Sequence, residues 1–252
     1  KVLDVKTVSD ITNASYWKSP GDATGYLTGI YALMRGGNGD KNYFNTTYYM
    51  EDRSDAFIAG LEGGMSPAWQ QNLNSANAPN WLNFYNIIYH CNLLLKNGGA
   101  IAFPVQTDKD RVMAEALFLR AYTYFWLIRA WGDVPLILEP VESSNQAEPV
   151  RTPAAEVMKQ IIEDVDAAIA LFPEAGFVNK SRASKPAAYT LKADALLWKA
   201  KVLKGSNADL EAALSALQQV EATAGLSLVD NFAQVFATNN RNNAEIIFSL
   251  HF

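Results

Sequence analysis

Cysteine is nearly absent from this chain of 252 residues. A single cysteine, Cys91, excludes an internal disulfide, and the two histidines, His90 and His251, do not stand at zinc-ligand spacing with it. Neither a disulfide nor a metal is therefore expected to staple the fold. Basic residues are also too few and too scattered for a nucleic-acid stripe. Lys and Arg number 21 against 26 Asp and Glu, a net charge of −5, whereas phosphate neutralisation needs the opposite sign. Long apolar runs are missing too. The longest uncharged stretch, residues 63–95, is studded with Asn and Gln and broken by Pro67 and Pro79, so it does not read as a membrane span. Lys1 to Lys6 lack an apolar signal core, so any targeting peptide is expected outside this sequence. Gly36-Gly-Asn-Gly39 follows a helix and lacks the Lys-Ser/Thr of a phosphate loop, which makes it a turn.

What is present is a globular composition, 49% hydrophobic, 12% aromatic and 19% charged. At about 150 residues per domain the length permits one large domain or two small ones. Helical periodicity dominates. Asp22 to Met34 places Tyr26, Ile30 and Leu33 at i, i+4, i+7 and stops at Gly36-Gly37. Trp81 to Lys96 keeps Phe84, Ile88, Cys91 and Leu95 on one stripe and ends at Gly98-Gly99. Asp108 to Trp131 is apolar nearly all round, the mark of a central helix. Thr152-Pro153 reads as an N-cap followed by proline at the first helical position, opening a helix that closes at Pro173. Ser184 starts another helix, rich in alanine, and Asn207 caps a shorter one that ends at Gly225. Short joints between successive helices imply a mainly α fold of tetratricopeptide-like helix pairs, although the spacing does not settle on a strict repeat. Minor strands are expected at Leu136-Ile-Leu138 and at Glu245 to Phe252, where Ile246, Phe248, Leu250 and Phe252 alternate.

Between the first two long helices, residues 36–80 read as a long aromatic loop insertion, with Tyr43, Phe44, Tyr48, Tyr49, Phe57 and Trp69 in it. A loop of that length in a compact domain is usually functional or disordered, and the aromatics argue against disorder. Catalytic machinery is hard to assemble from the sequence. The two histidines sit in an apolar helix and at the penultimate position, so no serine triad is expected, His90 reads as a partly buried helix residue and Cys91 as a core thiol. Asp40, Asp52, Asp55 and Glu62 cluster in the loop and are the only carboxylates that invite a glycosidase reading, but loop carboxylates are more commonly solvated. No metal and no cofactor is called for. The positive signal is an uncharged segment with Trp69, Gln71, Asn72, Asn74, Asn77 and Trp81. Amides both donate to and accept from hydroxyls, and an indole face packs on the C–H face of a sugar ring at small entropic cost. These six residues are the candidate ligand-binding set. Trp69 is the preferred stacking residue, and Trp81 is equally able to pack in the fold.

The segment Ala114-Glu-Ala-Leu-Phe-Leu-Arg-Ala-Tyr-Thr-Tyr-Phe-Trp-Leu-Ile-Arg-Ala-Trp-Gly-Asp-Val-Pro-Leu136 resembles the signature helix and turn of the SusD/RagB glycan-binding lipoproteins of Bacteroidetes outer membranes. Other blocks agree in order. They are Tyr16-Trp17-Lys-Ser-Pro-Gly-Asp-Ala23 with Gly29-Ile-Tyr31, Trp81 to Asn92 in a W-x-x-x-Y-x-x-I-x-x-x-N pattern, Arg151 to Pro173, Ser181-Arg-Ala-Ser184 into Ala188, and Asn240 to Phe252. The resemblance implies a single SusD-like helical domain over residues 1–252, corresponding to the N-terminal part of a longer protein. It further implies a surface-exposed lipoprotein that binds glycan without catalysis and delivers it to a SusC-like TonB-dependent transporter. No cysteine lies near the start, so the lipid anchor is expected outside this chain. Binding residues in that family follow no fixed motif, so the six named above rest on composition alone. Two other readings stay open: a helical glycoside hydrolase using the loop carboxylates, and a protein-interaction scaffold without sugar binding.

Overall fold

A computed structural model of the chain describes residues 13–36, 66–141 and 148–250. Among them the helices are α1 (Asn13–Tyr16), α2 (Pro20–Met34), α3 (Leu82–Leu93), α4 (Gln106–Trp131), α5 (Ala154–Leu171), α6 (Lys185–Val202), α7 (Asn207–Glu221) and α8 (Phe232–Val235). A π-helical turn, Leu94–Gly98, extends α3, and a 3₁₀ turn spans Thr238–Asn240. The long helices pack chiefly on their sequence neighbours, α3 on α4, α4 on α5, α5 on α6 and α6 on α7, while α2 lies against α3 and α4. That nearest-neighbour stacking is the organisation expected of helix pairs in a solenoid.

Local chemistry explains the ends. Asp22 accepts from the Ser19 backbone (2.7 Å) and hydroxyl (2.9 Å), reciprocating the Ser19 cap of α2, and this bonding holds its carboxyl below the usual range. Ser184 caps α6 through the Ala187 N–H. Two expected caps move by one residue. Ser206, not Asn207, caps α7 in a box with Asp209. Thr152 is not the cap of α5, because its backbone pairs with Val134 in an isolated antiparallel bridge. Pro153 takes the cap position, and the Ala154 N–H that a threonine would have met donates to Asp133 instead, at 2.8 Å.

Helix α4 is the hub, as its all-round apolarity predicts. Phe118, Leu119, Tyr124, Phe125, Leu127 and Ile128 are all buried in one core with Leu27, Ile30, Phe84, Ile88, Ile161 and Val165. Cys91 is fully enclosed there, and burial pushes its thiol up to about 12. His90 is half-buried as expected, its Nδ1 2.6 Å from the Tyr26 hydroxyl, and burial lowers its pKa. Gly132 ends α4 at φ 71, ψ −117, a conformation closed to residues with a Cβ. Gly132→Ala is expected to cost about 1–3 kcal/mol, read as a lower thermal midpoint; an unchanged midpoint would show that the turn rearranges freely.

The two strand expectations are corrected. Residues 136–138 make no strand, because polar side chains hold their backbone: Tyr85 donates to Pro135 O (2.6 Å), Asn92 to Ile137 O (2.9 Å), and Tyr124 both donates to Ile137 O (2.9 Å) and accepts from Ile137 N (2.7 Å). Residues 245–250 make no strand: Glu245 lies in a turn where the Ile246 N–H donates to Asn243 O (3.3 Å), Ile247 lies in a bend, and alternation cannot supply the neighbouring strand that a ladder needs. His251 and Phe252 lie outside the described residues.

Candidate functional site

Residues 66–80 form a run of turns whose amides are knitted to one another. The Trp69 N–H donates to Ser66 Oγ (3.1 Å), and Gln71 adopts a left-handed φ of 56. Asn74 accepts from Ala76 N (2.9 Å), an Asx turn, while its own N–H donates to Asn77 Oδ1 (2.7 Å). The Asn74 and Asn77 Nδ2 groups both donate to Asn72 O, at 3.4 and 3.2 Å, and Asn72 Nδ2 donates to Gln70 Oε1 (3.3 Å). Of the predicted amides, Asn74 and Asn77 therefore spend their side chains on the shape of the loop. Gln71 and Asn72 are exposed, and Gln71 makes no side-chain hydrogen bond among the described residues.

The two tryptophans separate in role. Trp69 is 40% exposed, on a segment anchored by the buried Ala68 beside it. Trp81 is half-buried at the start of α3. It stands edge-on to Tyr85 (5.9 Å) and Trp131 (6.1 Å), with the Arg151 guanidinium 5.0 Å from its ring. Trp81 thus packs among rings at the edge of the loop, and Trp69 is the more exposed of the two indoles. The remainder of the aromatic insertion, residues 37–65, lies outside the described residues, and with it Asp40, Asp52, Asp55 and Glu62.

Sequence reasoning missed a second feature, a cavity of about 640 Å³ between the starts of α2 and α4, the end of α5 and the loop into α6. Its apolar lining includes Phe103, Pro104 and Phe172. Glu115 forms its buried floor: it accepts from Tyr31 (2.6 Å) and twice from Arg182 (2.8 and 3.1 Å), and the Tyr31 oxygen accepts from Ala183 N (2.8 Å). Burial, then the Glu115 charge, drives the Tyr31 pKa well above 10. Burial works against the Arg182 charge, but the bonds to Glu115 more than offset it and raise its pKa. At the rim, Arg111 pairs with Glu174 and with Asp108, and that first bond lowers the Glu174 pKa. Every charge is thus matched within the protein, so the cluster shapes the wall of the cavity rather than offering a reactive group. Ser181-Arg-Ala-Ser184 was visible as a block in the sequence, but its partners lie too far away along the chain for any spacing rule to find. Among the described residues no three His, Cys, Asp or Glu side chains gather as a metal-binding group.

Comparison with known proteins agrees with this architecture. The SusD-like family described as "Starch-binding associating with outer membrane" matches residues 1–197. The SusD-like protein P25 of Formosa agariphila is 25% identical over 96% of this chain and 46% of its own length. Among solved structures, NanU of B. fragilis is 32% identical with a TM-score of 0.85, covering 98% of this chain and 50% of that one. A laminarin-binding SusD-like protein is 27% identical with a TM-score of 0.78, covering 92% of this chain and 51% of that one. The chain spans about half the length of these relatives.

Proposed function

Because this chain belongs to the SusD-like family, described as starch-binding and associating with the outer membrane, we propose that it binds oligosaccharide or polysaccharide without catalysing any reaction on it. The observation that carries the proposal is Trp69: an exposed indole on an uncharged loop held rigid by its own asparagines. A rigid aromatic platform loses little entropy when a pyranose face stacks on it. Gln71 and Asn72 supply exposed amides to sugar hydroxyls, Asn74 and Asn77 fix the loop that presents them, and Trp81 anchors the end of the segment against Tyr85 and Trp131. The proposal extends to location and partner. The protein acts as a lipid-anchored, surface-exposed component of the outer membrane that passes glycan to a SusC-like TonB-dependent transporter, with residues 1–252 forming one helical domain. A relative that binds laminarin adds β-glucan to starch as a ligand class to try.

Calorimetric titration with malto- and laminari-oligosaccharides tests the site. Trp69→Ala is expected to weaken binding by about tenfold or more, the scale of one lost stacking contact, with the circular dichroism unchanged. Absence of binding to either series and to a wider polysaccharide panel would sink the proposal. Capture of the transporter by a protein without any glycan affinity would favour the scaffold reading instead.

A further inference from the structure

A second concave surface, which no residue of the 66–80 loop lines, lies between the C-terminal half of α4, the start of α6 and residues 245–248, and encloses about 350 Å³. One wall is aromatic. Phe118 and Tyr122 are stacked at 5.8 Å, Trp126 stands edge-on to Tyr122 at 6.2 Å, and Phe248 closes the end edge-on to Phe118 (5.4 Å) and Tyr122 (6.0 Å).

Arg129, also on the wall, is gripped by rings: its guanidinium carbon is 5.2 Å from the Phe125 centroid, 5.6 Å from Trp126 and 5.2 Å from Trp198. Its Nε is the buried side-chain nitrogen that has no hydrogen-bond partner among the described residues. That nitrogen is sealed from solvent by the surrounding rings, whereas the side chain as a whole is 30% exposed, so the Nη groups, which make no hydrogen bond among the described residues, are the donors a ligand can meet. Facing it, Asp194 stands 3.8 Å from Arg129 Nη1, too far for a hydrogen bond, with over half its side-chain surface open. The backbone of Ile247 and Phe248, on the third side, makes no hydrogen bond among the described residues.

These groups select a class of ligand. A flat apolar wall wants the C–H face of a ring. An unpaired donor, a loosely held carboxylate and free main-chain groups want hydroxyls, which both accept and donate. With Arg129, Asp194 and Glu245 on the lining, the local charge is one negative, which disfavours an acidic sugar. An ammonium would compete for an aromatic box that Arg129 already fills. The volume is at the small end for ligand pockets and suits one or two rings rather than a chain.

We propose that this cavity is a second saccharide subsite, taking the end of a neutral sugar chain, with Arg129 and Asp194 as its hydrogen-bonding pair and Tyr122 and Trp126 as its wall. That the ligand is a sugar rests on the function proposed above; the location and polarity of the subsite do not. Backbone and indole NMR resonances, followed during titration with maltose, laminaribiose and glucuronic acid, test it. The neutral disaccharides are expected to shift the Trp126 indole and the Ile247 and Phe248 amides saturably. Glucuronic acid is expected to bind about tenfold more weakly, and Asp194→Asn and Arg129→Met each to weaken the disaccharides by a similar factor. Trp69→Ala should leave these shifts in place. No saturable shift at those resonances in the unmodified protein, or equal affinity in both cavity variants, overturns the subsite. Should Arg129→Met not fold, Asp194→Asn decides, because its exposed side chain carries only the long contact to Arg129. Polysaccharide binding that depends on Trp69 without shifts in the cavity defeats this inference alone. Cavity shifts with polysaccharide affinity indifferent to Trp69→Ala defeat the loop site alone.

Discussion

Asp164→Ala is expected to remove about 3–5 kcal/mol of stability, the cost of stranding a buried charge. Arg120, on α4, is 7% exposed and Asp164, on α5, is 3% exposed. The pair is bidentate, Nε to Oδ2 and Nη2 to Oδ1 at 2.7 Å each, with Asn92 Oδ1 taking the Nη1 donor at 2.9 Å and Gln160 reaching Asp164 at 2.9 Å. Asn92 in turn holds Ile137 O, so the pair ties α3, α4, α5 and the turn after α4 into one network. Removing the carboxylate leaves a guanidinium in the core with Asn92 as its main support. Total stability of a domain is of order 5–15 kcal/mol, so this loss is severe. The check is the denaturant midpoint at constant slope. The double variant Arg120→Met, Asp164→Leu should recover much of the loss, because apolar packing replaces a desolvated pair. A single-variant loss under about 1 kcal/mol would show that water reaches Arg120.

Alkaline conditions should be comparably damaging. Burial pushes the Cys91 thiol up to about 12, and burial likewise drives Tyr31 and Tyr124 above the usual tyrosine range. These are acids whose folded pKa is raised, so their contribution is intact below the unfolded values, about 8.5 for the thiol and about 10 for tyrosine, and is lost as pH rises through the folded ones. In that window the unfolded chain has released protons that the folded chain still holds. Each group then costs about 1.4 kcal/mol per pH unit, and the three together about 4 kcal/mol per pH unit once pH exceeds about 10. Denaturant titrations from about pH 8 to about pH 11 should show this fall, with tyrosinate absorbance and thiol reactivity appearing together with unfolding. Stability that stays level over that range, or a Cys91 that reacts in the folded protein, would mean that these side chains are open to solvent.

Much of the architecture was legible because helices announce themselves locally. The stripe of Phe84, Ile88 and Cys91, the all-round apolarity of α4, the glycines after α2 and α4 and the Ser184 cap each act over a few residues, and each is found where the periodicity places it. The single-residue displacement at Thr152 shows the limit. Its identity suits a cap, but a backbone pairing with Val134 claims it, and Asp133 does the capping from across the turn.

The site was less legible. Composition pointed to the 66–80 loop, yet could not say that Asn74 and Asn77 bond inward while Trp69 faces out, because hydrogen-bond direction depends on turn geometry. The two cavities were invisible, since their walls come from segments far apart in the chain.

One cysteine was enough to exclude an internal disulfide, and helical periodicity was enough to give a mainly α chain, because both depend on which residues are present and on neighbours within a turn or two. Only the tertiary structure decided which charges meet: Glu115 with Tyr31 and Arg182, Arg120 with Asp164, and Arg129 with its rings and one unpaired nitrogen. Pairing of that kind is fixed by how helices stack and what they exclude from water, and a one-dimensional pattern carries no record of either.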